Sequence, residues 1–172
     1  MGGILIVVDM QNDFIDGSLG SPEAVEIVDD VVEKIRGFDG EIFVTLDTHE
    51  EDYLNTLEGR NLPVEHCIRG SEGWKLNAEV AKALEGRDYT IVEKPTFGSL
   101  KLIELLRDLI DSDSEIELVG LCTDICVVSN ALLIKANFHE IPISVDAGAC
   151  AGVSPEAHKA ALSTMKSCHI NV

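Results

Sequence analysis

The sequence predicts an α/β fold of three layers, in which helices cover both faces of a doubly wound, mostly parallel, Rossmann-like sheet of six strands. Apolar runs alternate with helix-like stretches along most of the chain, as in α/β proteins with a parallel sheet. The runs are mostly unbroken and rich in β-branched residues, which is typical of strands buried on both faces. A chain of 172 residues with 45% apolar content is long enough for one core and short for two. We therefore expect a single domain over residues 1–172.

The predicted strands share an apolar run that is bounded by polar or turn residues. Helical patterns fill the segments between them, so each strand is expected to return to the same sheet through a helix. The predicted strands cover residues 3–9, 41–47, 89–94, 115–121, 141–146 and 168–172.

The first predicted helix covers residues 21–38 and carries the clearest helix signals. It begins with a capping serine and a proline in the first turn, and four valines and Ile35 recur on one face before a glycine. The last predicted helix begins with a second Ser-Pro-Glu cap. The remaining predicted helices cover residues 76–86, 99–110, 123–138 and 154–167.

Residues 48–73 interrupt this alternation, because they show little periodicity over more than twenty positions. Loops of this length in a compact domain are usually functional or disordered. The segment mixes His, Asp and Glu with a single proline, and a tryptophan follows it. This composition predicts an ordered functional loop.

The charge of the chain bears on its partners. The sequence has 31 acidic and 13 basic residues, a formal net charge of -18. Such a chain repels phosphate backbones and anionic lipid surfaces. We therefore expect neither nucleic acid nor a membrane surface as a partner.

The N-terminus and the cysteines predict the compartment. The first apolar run has only five residues and no basic leader before it, which does not fit a signal peptide or a membrane span. The five cysteines are an odd count scattered between Cys67 and Cys168, which fits a reduced compartment better than a disulfide framework. We expect a cytoplasmic protein with at least one free thiol.

Polar residues collect where the predicted strands end. The ends of the first four predicted strands, or the residues just after them, include Asp9, Asp47, His49, Lys94 and Cys126. In open parallel sheets the ligand site lies outside the carboxyl ends of the strands. These side chains are therefore expected to converge on one edge of the sheet.

The residue types at this edge suit covalent catalysis. If a helix begins near Thr123, Cys126 lies in its first turn, where free N–H groups and the helix dipole favour a thiolate. The backbone N–H groups around Cys122 and Cys126 could stabilise an oxyanion. Asp9 could accept the thiol proton, and Lys94 could tune the charges of Asp9 and Cys126. Each residue also has an ordinary structural interpretation: an inert buried thiol, a turn aspartate and a solvated loop lysine.

Two other interpretations stay open on the residues alone. Asp9 and Asp13, with Lys94, resemble the aspartate pair of haloacid dehalogenase-like phosphatases, but that pair is Asp-x-Asp and here the second Asp is four residues on. Cys122 and Cys126 as a reversible disulfide would make the chain a redox module. Because Cys122 is expected before the helix, that pairing would require distortion.

Five stretches together resemble the isochorismatase-like cysteine hydrolase superfamily, which includes nicotinamidases and pyrazinamidases. The resemblance extends from Ile4 to about Gly152, and the combination is far more specific than any single stretch. The stretches are ILIVVDMQNDF, DTH, HC before a glycine-bearing turn, EKPTFGS and GLCTDICV.

The resemblance implies a catalytic triad of Asp9, Lys94 and Cys126. Cys126 would attack an amide carbonyl, Asp9 would protonate the departing ammonia, and water would hydrolyse the resulting thioester. Lys94 would hold Asp9 and lower the pKa of the thiol. The resemblance also implies a cis peptide at Leu121–Cys122 and an oxyanion hole formed by the backbone N–H groups of Cys122 and Cys126.

The resemblance further implies a divalent metal ion beside the triad. Asp47, His49 and His66 match the ligand pattern, and oxygen and imidazole ligands suit Zn, our first expectation, or Fe or Mn. The chain departs from many members at the fourth ligand, where it has Asn55 in that region and no second His. Glu58 is the expected fourth ligand, since some relatives use a Glu at about that spacing.

The expected function is hydrolysis of a small amide such as nicotinamide. Phe14 matches the family's ring-packing aromatic, and Trp74 and Phe97 are candidates for the opposite wall. Metal-free relatives that cleave N-carbamoyl or ureido compounds, and isochorismatases, are the alternatives within the superfamily. The resemblance also implies a homo-oligomer, a dimer or tetramer. The residues expected at the surface, in caps or in packing are Asp16, Asp124, His139, His158, His169 and Cys150.

Overall fold

The structure is a computed structural model that describes residues 3–172, and the sheet found in them has five strands. All neighbouring strands are parallel, and their order is β3-β2-β1-β4-β5. The predicted α/β fold with a parallel sheet is confirmed. The strands are β1 (Gly3–Val8), β2 (Gly40–Asp47), β3 (Thr90–Lys94), β4 (Ile116–Leu121) and β5 (Ile143–Ala151).

The prediction of a sixth strand over residues 168–172 is wrong. The last helix continues to Ser167, Cys168 caps it, and the chain turns at His169 with a φ of 61°. Too few residues remain for a strand, so only Asn171 reaches the edge of the sheet. There its N–H donates to Ile143 O at 2.9 Å in a single bridge to β5.

Eight α-helices are found in residues 3–172. Serine side chains cap three of them, at the predicted Ser21 and Ser154 and also at Ser99, and each accepts a bond from a backbone N–H three residues on. The helices are α1 (Asn12–Ile15), α2 (Pro22–Glu26), α3 (Val28–Gly37), α4 (Leu57–Asn61), α5 (Ala78–Leu84), α6 (Leu100–Arg107), α7 (Val128–Asn137) and α8 (Pro155–Ser167).

The single helix expected over residues 21–38 is two helices that meet at Ile27, where φ is -80° and ψ is -8°. This break changes the phase of the buried face. Val25, which precedes the break, is therefore 51% exposed, whereas Val31 and Ile35 in α3 are fully buried.

The sheet separates two apolar cores, which confirms the three-layer arrangement. Alternate β1 residues point to opposite faces: Ile4 and Ile6 pack with α6, α7 and α8, whereas Leu5 and Val7 pack with α2, α3 and α5. No helix in the described residues is long and apolar enough to cross a membrane.

The sheet order places the candidate site. Strand β1 lies between β2 and β4, so the connections from β1 and β4 leave from the point where the strand order reverses. Gly120 permits the close approach of these strands, because it has a φ of 117° and an added Cβ would lie 2.1 Å from Val8 O. The segments that follow β1 and β4 carry Asp9 and Cys126.

Residues 48–73 are ordered around a buried tyrosine. Tyr53 lies in a short 3₁₀ turn before α4, and its hydroxyl donates to Leu62 O at 2.9 Å. His49 pairs with Ile68 in an isolated parallel bridge. The loop therefore packs against the carboxyl edge of the sheet.

Candidate active site and metal-ligand cluster

Asp9 follows β1 and is completely buried. Its φ of 48° is uncommon for a residue with a side chain. The Thr45 hydroxyl donates to Asp9 Oδ1 at 2.6 Å, whereas Asp9 Oδ2 lies 2.6 Å from Lys94 Nζ and accepts no hydrogen bond of normal geometry. Burial raises the pKa of Asp9 above its ordinary value, although the charge of Lys94 opposes this.

Lys94 ends β3 and connects the other groups of the site. Its Nζ lies 3.4 Å from both Asp47 Oδ1 and Cys126 Sγ, and it donates to Thr96 O at 3.1 Å. Burial works to lower the pKa of Lys94, but the charges of Asp9, Cys126 and Asp47 outweigh it and hold the pKa above its ordinary value. A buried ammonium group therefore joins the carboxylate and the thiol.

Cys126 lies in a π-helical turn, Thr123–Val127, that connects β4 to α7. Cys122 O accepts from Ile125 N at 3.0 Å and from Val127 N at 3.1 Å, which starts the turn directly after the strand. The Leu121–Cys122 peptide is cis, as the family resemblance implies. Cys126 and Cys122 are both free thiols.

Lys94 acts to lower the pKa of Cys126, as expected, but the net shift of this pKa is upward. Burial, followed by the charge of Asp9, raises the pKa of the Cys126 thiol well above its ordinary value, and Lys94 opposes them only in part. Burial therefore favours the neutral thiol over the thiolate. Burial also raises the pKa of the neighbouring Cys122 to about 12.

The structure brings Asp47, His49, Glu58 and His66 together, with one ligand atom from each within 4.8 Å of the others. Asp47 ends β2, Glu58 lies in α4, and the two histidines lie in the loop after β2. His49 Nε2 is 3.0 Å and His66 Nε2 is 3.5 Å from Asp47 Oδ2. Glu58 Oε1 is 3.6 Å from His49 Nε2 and 3.7 Å from His66 Nε2. These four residues form a candidate metal site, named the metal-ligand cluster.

The surroundings of the metal-ligand cluster orient its donors. His66 Nδ1 is 2.8 Å from Val64 O, which leaves Nε2 facing the other ligands. Burial acts to raise the pKa of Asp47, but hydrogen bonds with His49 and His66 hold this pKa below its ordinary value. The carboxylate is therefore ionised. Two imidazoles and two carboxylates, one of them ionised by its partners, fit a divalent ion such as zinc, iron or manganese.

Gln11 and Asp13 support this cluster, and the sequence reasoning assigned them no such role. Gln11 donates to Asp47 O and accepts from Asp47 N, both at 2.8 Å. Asp13 Oδ2 accepts from Cys67 N at 2.8 Å, beside His66. The sequence signal for these supporting roles was the spacing of polar residues by two positions in DMQNDF. Asp13 thus holds backbone instead of pairing with Asp9, which removes the basis for a phosphatase-like aspartate pair.

The three aromatic residues predicted at the substrate occupy different places. Phe14 is buried, with its ring centroid 5.6 Å from that of His66. Phe97 lines a cavity of about 620 Å³ together with His49, Glu58 and Ile125. Trp74 does not line this cavity, because its indole N–H donates to Thr48 Oγ1 at 2.9 Å and its ring packs against the core on the α3 side.

Two residues expected only at the surface or in caps contact the turn that carries Cys126. His158 Nδ1 is 2.8 Å from Oγ1 of the buried Thr123, so it is half-buried packing and not a surface group. Asp124 Oδ1 accepts from Val153 N at 3.0 Å, which agrees with a capping role. Cys150 is buried in the core, as expected.

The fold and the site together define an α/β enzyme whose site joins a thiol, a carboxylate and an ammonium group beside a metal-ligand cluster. The chain belongs to the isochorismatase family of hydrolases, because the family model described as the Isochorismatase domain matches residues 3–172.

Known relatives agree with this assignment over nearly the whole chain. The uncharacterized isochorismatase family protein PncA of Bacillus subtilis is 29% identical over 170 residues, which cover 92% of this chain and 91% of that protein. The crystal structure of nicotinamidase/pyrazinamidase PncA from Bacillus subtilis superposes with a TM-score of 0.84 at 29% identity, covering 100% of this chain and 99% of that one. The crystal structure of the pyrazinamidase of Pyrococcus horikoshii in complex with zinc superposes with a TM-score of 0.83 at 28% identity, covering 99% of this chain and 98% of that one.

Proposed function

We propose that this enzyme hydrolyses nicotinamide, or a closely related small aromatic amide, to the acid and ammonia through a thioester on Cys126. The observation that carries the proposal is the position of Lys94 Nζ, 2.6 Å from Asp9 Oδ2 and 3.4 Å from Cys126 Sγ. The structural neighbours named nicotinamidase and pyrazinamidase support the choice of substrate.

The first step transfers the thiol proton and forms the carbon–sulfur bond. Asp9 Oδ2 has an unused lone pair in a buried site, and burial raises the pKa of its carboxyl, so it can hold a proton. As Cys126 Sγ attacks the amide carbon, its proton passes to Asp9. The backbone N–H groups of Cys122 and Cys126 are proposed to stabilise the oxygen that becomes negative.

The second half of the reaction returns the site to its starting state. Asp9 donates its proton to the amide nitrogen, the carbon–nitrogen bond breaks, and ammonia leaves a thioester on Cys126. Water then attacks the thioester carbon while Asp9 accepts a water proton. The carbon–sulfur bond breaks, the thiol regains that proton, and the acid departs. Lys94 keeps its charge throughout and stabilises Asp9 in its ionised form.

The metal-ligand cluster is proposed to hold zinc, with iron or manganese as alternatives. Asp47, His49, Glu58 and His66 would supply the ligands, and a zinc-bound pyrazinamidase among the structural neighbours supports the choice of ion. When bound, the ion supplies a Lewis-acid contact that orients the pyridine nitrogen of the substrate. Phe14, which lies against His66, is proposed to pack on the substrate ring, with Phe97 at the cavity wall.

Ammonia release from a panel of amides tests the proposal. The panel contains nicotinamide, pyrazinamide, N-carbamoylsarcosine and ureidoacrylate, and Cys126→Ala is the control. We expect turnover of the first two and none by the variant. Turnover of the ureido compounds alone would overturn the substrate, and activity in Cys126→Ala would overturn the mechanism.

The setting of the enzyme is also proposed. All five cysteines are free, which supports a reduced, cytoplasmic location, and the net charge of -18 supports a small-molecule partner over nucleic acid or membrane. One sheet with a core on each face supports a single domain over residues 1–172. The family resemblance supports a dimer or tetramer, which sedimentation at several concentrations would measure.

A further inference from the structure

The cavity beside the metal-ligand cluster opens outward between large apolar side chains. Leu57 is 68% exposed, Phe97 43% and Leu62 38%, and all three line the same opening. Covering such side chains with an apolar group is favourable, because it removes apolar surface from water. Three large exposed apolar side chains therefore lie together at one opening beside the metal-ligand cluster.

This opening lies next to residues that contact or adjoin the reacting groups. Its lining includes Ile125, the neighbour of Cys126, and Thr96, whose carbonyl accepts a hydrogen bond from Lys94. Glu58 of the metal-ligand cluster also lines it. A substrate whose amide lies at Cys126 would therefore have its far edge at this opening.

The apolar wall is held in place by the element that supplies the fourth metal ligand. Leu57 and Glu58 are consecutive in α4, and Leu62 caps its C-terminal end. The Thr56 hydroxyl accepts from Gly59 N at 3.0 Å, and the Tyr53 hydroxyl donates to Leu62 O at 2.9 Å. These hydrogen bonds fix both ends of the short helix, so the apolar wall is formed before a ligand binds.

The size and charge of the cavity indicate what it accepts. A volume of about 620 Å³ lies within the range of sites for drug-sized ligands and exceeds what one pyridine carboxamide fills. Among the described residues, no lysine or arginine lines it. The nearby Arg69 is paired with Glu50 at 2.9 Å and Glu93 at 2.6 Å. A neutral apolar group suits this environment better than a carboxylate.

We propose that Leu57, Leu62, Phe97 and Ile125 form an apolar subsite, and that the enzyme prefers nicotinamides with a neutral, bulky substituent over nicotinamide itself. The inference rests on the proposed function, because it needs the amide at Cys126 and the ring nitrogen at the metal-ligand cluster. With those two atoms held, ring carbon 5 faces away from both of them. A substituent at carbon 5 therefore enters the subsite.

Equilibrium binding to the zinc-supplied Cys126→Ala variant tests the subsite without turnover. The ligands are nicotinamide, 5-methylnicotinamide, 5-phenylnicotinamide and 5-carboxynicotinamide, and calorimetry gives each Kd. We expect 5-phenylnicotinamide to bind at least about ten-fold tighter than nicotinamide, and the carboxylate to bind weaker than nicotinamide. Equal or weaker binding of the phenyl compound, or no binding by any ligand, would overturn the subsite.

A second substitution identifies the surface responsible. Leu57→Ser, added to Cys126→Ala, should remove most of the preference for the phenyl compound. Leu100→Ser is the matched control, because Leu100 is 72% exposed but does not line the cavity. A preference that survives Leu57→Ser would overturn the assignment. A change of oligomeric state by sedimentation, with the ligand preference unchanged, would assign this surface to a second copy of the chain instead.

Ammonia release from the same ligands by the wild-type enzyme separates the two proposals. Tight binding of the phenyl compound without ammonia release from any amide would retain the subsite and reject the proposed function. Hydrolysis of nicotinamide with no gain in binding from the phenyl group would reject the subsite alone.

Discussion

Lys94 Nζ lies 2.6 Å from Asp9 Oδ2, and neither side chain is accessible to solvent. The two charges come from the ends of different strands, and their pairing makes a buried carboxylate possible next to the thiol. Removing one partner leaves the other charged and uncompensated. This relationship makes Lys94 a determinant of both stability and activity.

We expect Lys94→Met to lower the free energy of unfolding by about 3–5 kcal/mol and to abolish amide hydrolysis, because Asp9 loses its counter-ion. Urea unfolding followed by circular dichroism measures the first effect. Lys101→Met is the matched control, since Lys101 forms an exposed pair with Glu104 and should change stability by less than about 0.5 kcal/mol. Equal stability of the two variants would contradict the buried pair.

We expect Cys126 to be alkylated slowly near neutral pH and faster as pH rises. Burial and the charge of Asp9 raise the pKa of its thiol, so the reactive thiolate is scarce below that raised pKa and its population grows above it. Mass spectrometry of peptides after timed iodoacetamide treatment measures the rate at each pH. The exposed Cys168 is the internal comparison for access. Faster labelling of Cys126 than Cys168 at neutral pH would show that the resting thiol is ionised.

We expect Thr45→Val to reduce the rate of hydrolysis and move the acidic limb of the kcat/KM profile to higher pH. The Thr45 hydroxyl donates to Asp9 Oδ1 at 2.6 Å and favours its carboxylate, so loss of this bond raises the pKa of Asp9 further. The cost in stability should be about 1–3 kcal/mol. Thr45→Ser keeps the hydroxyl and should restore the limb. An unchanged acidic limb in Thr45→Val would show that Asp9 is not the group that titrates in this limb.

We expect the wild type to bind one zinc ion per chain. Glu58→Gln should weaken zinc binding by about 10–100-fold, because a charged donor is lost. Metal analysis after dialysis and competition with a chelator measure the affinity. Glu51→Gln is the control, because this exposed glutamate lies in the same segment outside the metal-ligand cluster. Zinc should also raise the Tm of the wild type, since it binds only the folded chain. Wild-type affinity in Glu58→Gln would exclude Glu58 as a ligand.

Much of the fold could be predicted because its signals are local. Serine caps, proline in first turns and unbroken apolar strands lie within short stretches, and the structure reproduces them in α2, α6 and α8 and in β1 to β4. The errors occur where local signals are weak. The segment 168–172 is apolar enough for a strand, yet the turn at His169 leaves only Asn171 against the sheet.

The site could be predicted in part for the same reason. Residues that directly follow parallel strands share one edge, which is why Asp9, Asp47, Lys94 and Cys126 were expected together and lie together. Trp74 and His158 could not be placed, because their partners Thr48 and Thr123 lie 26 and 35 positions away in the chain. No periodicity or spacing encodes such contacts.

The sequence by itself determined the class of fold, the edge at which the site lies and the residue types available there, since these follow from local patterns and from parallel strand geometry. Only the tertiary structure decided the direction of the pKa shift of the Cys126 thiol, the supporting contacts of Gln11 and Asp13, and the apolar opening beside Glu58. These depend on burial and on neighbours brought together from distant parts of the chain. Burial sets the electrostatics of the site, and it exists only once the helices and the 48–73 loop have packed on the sheet.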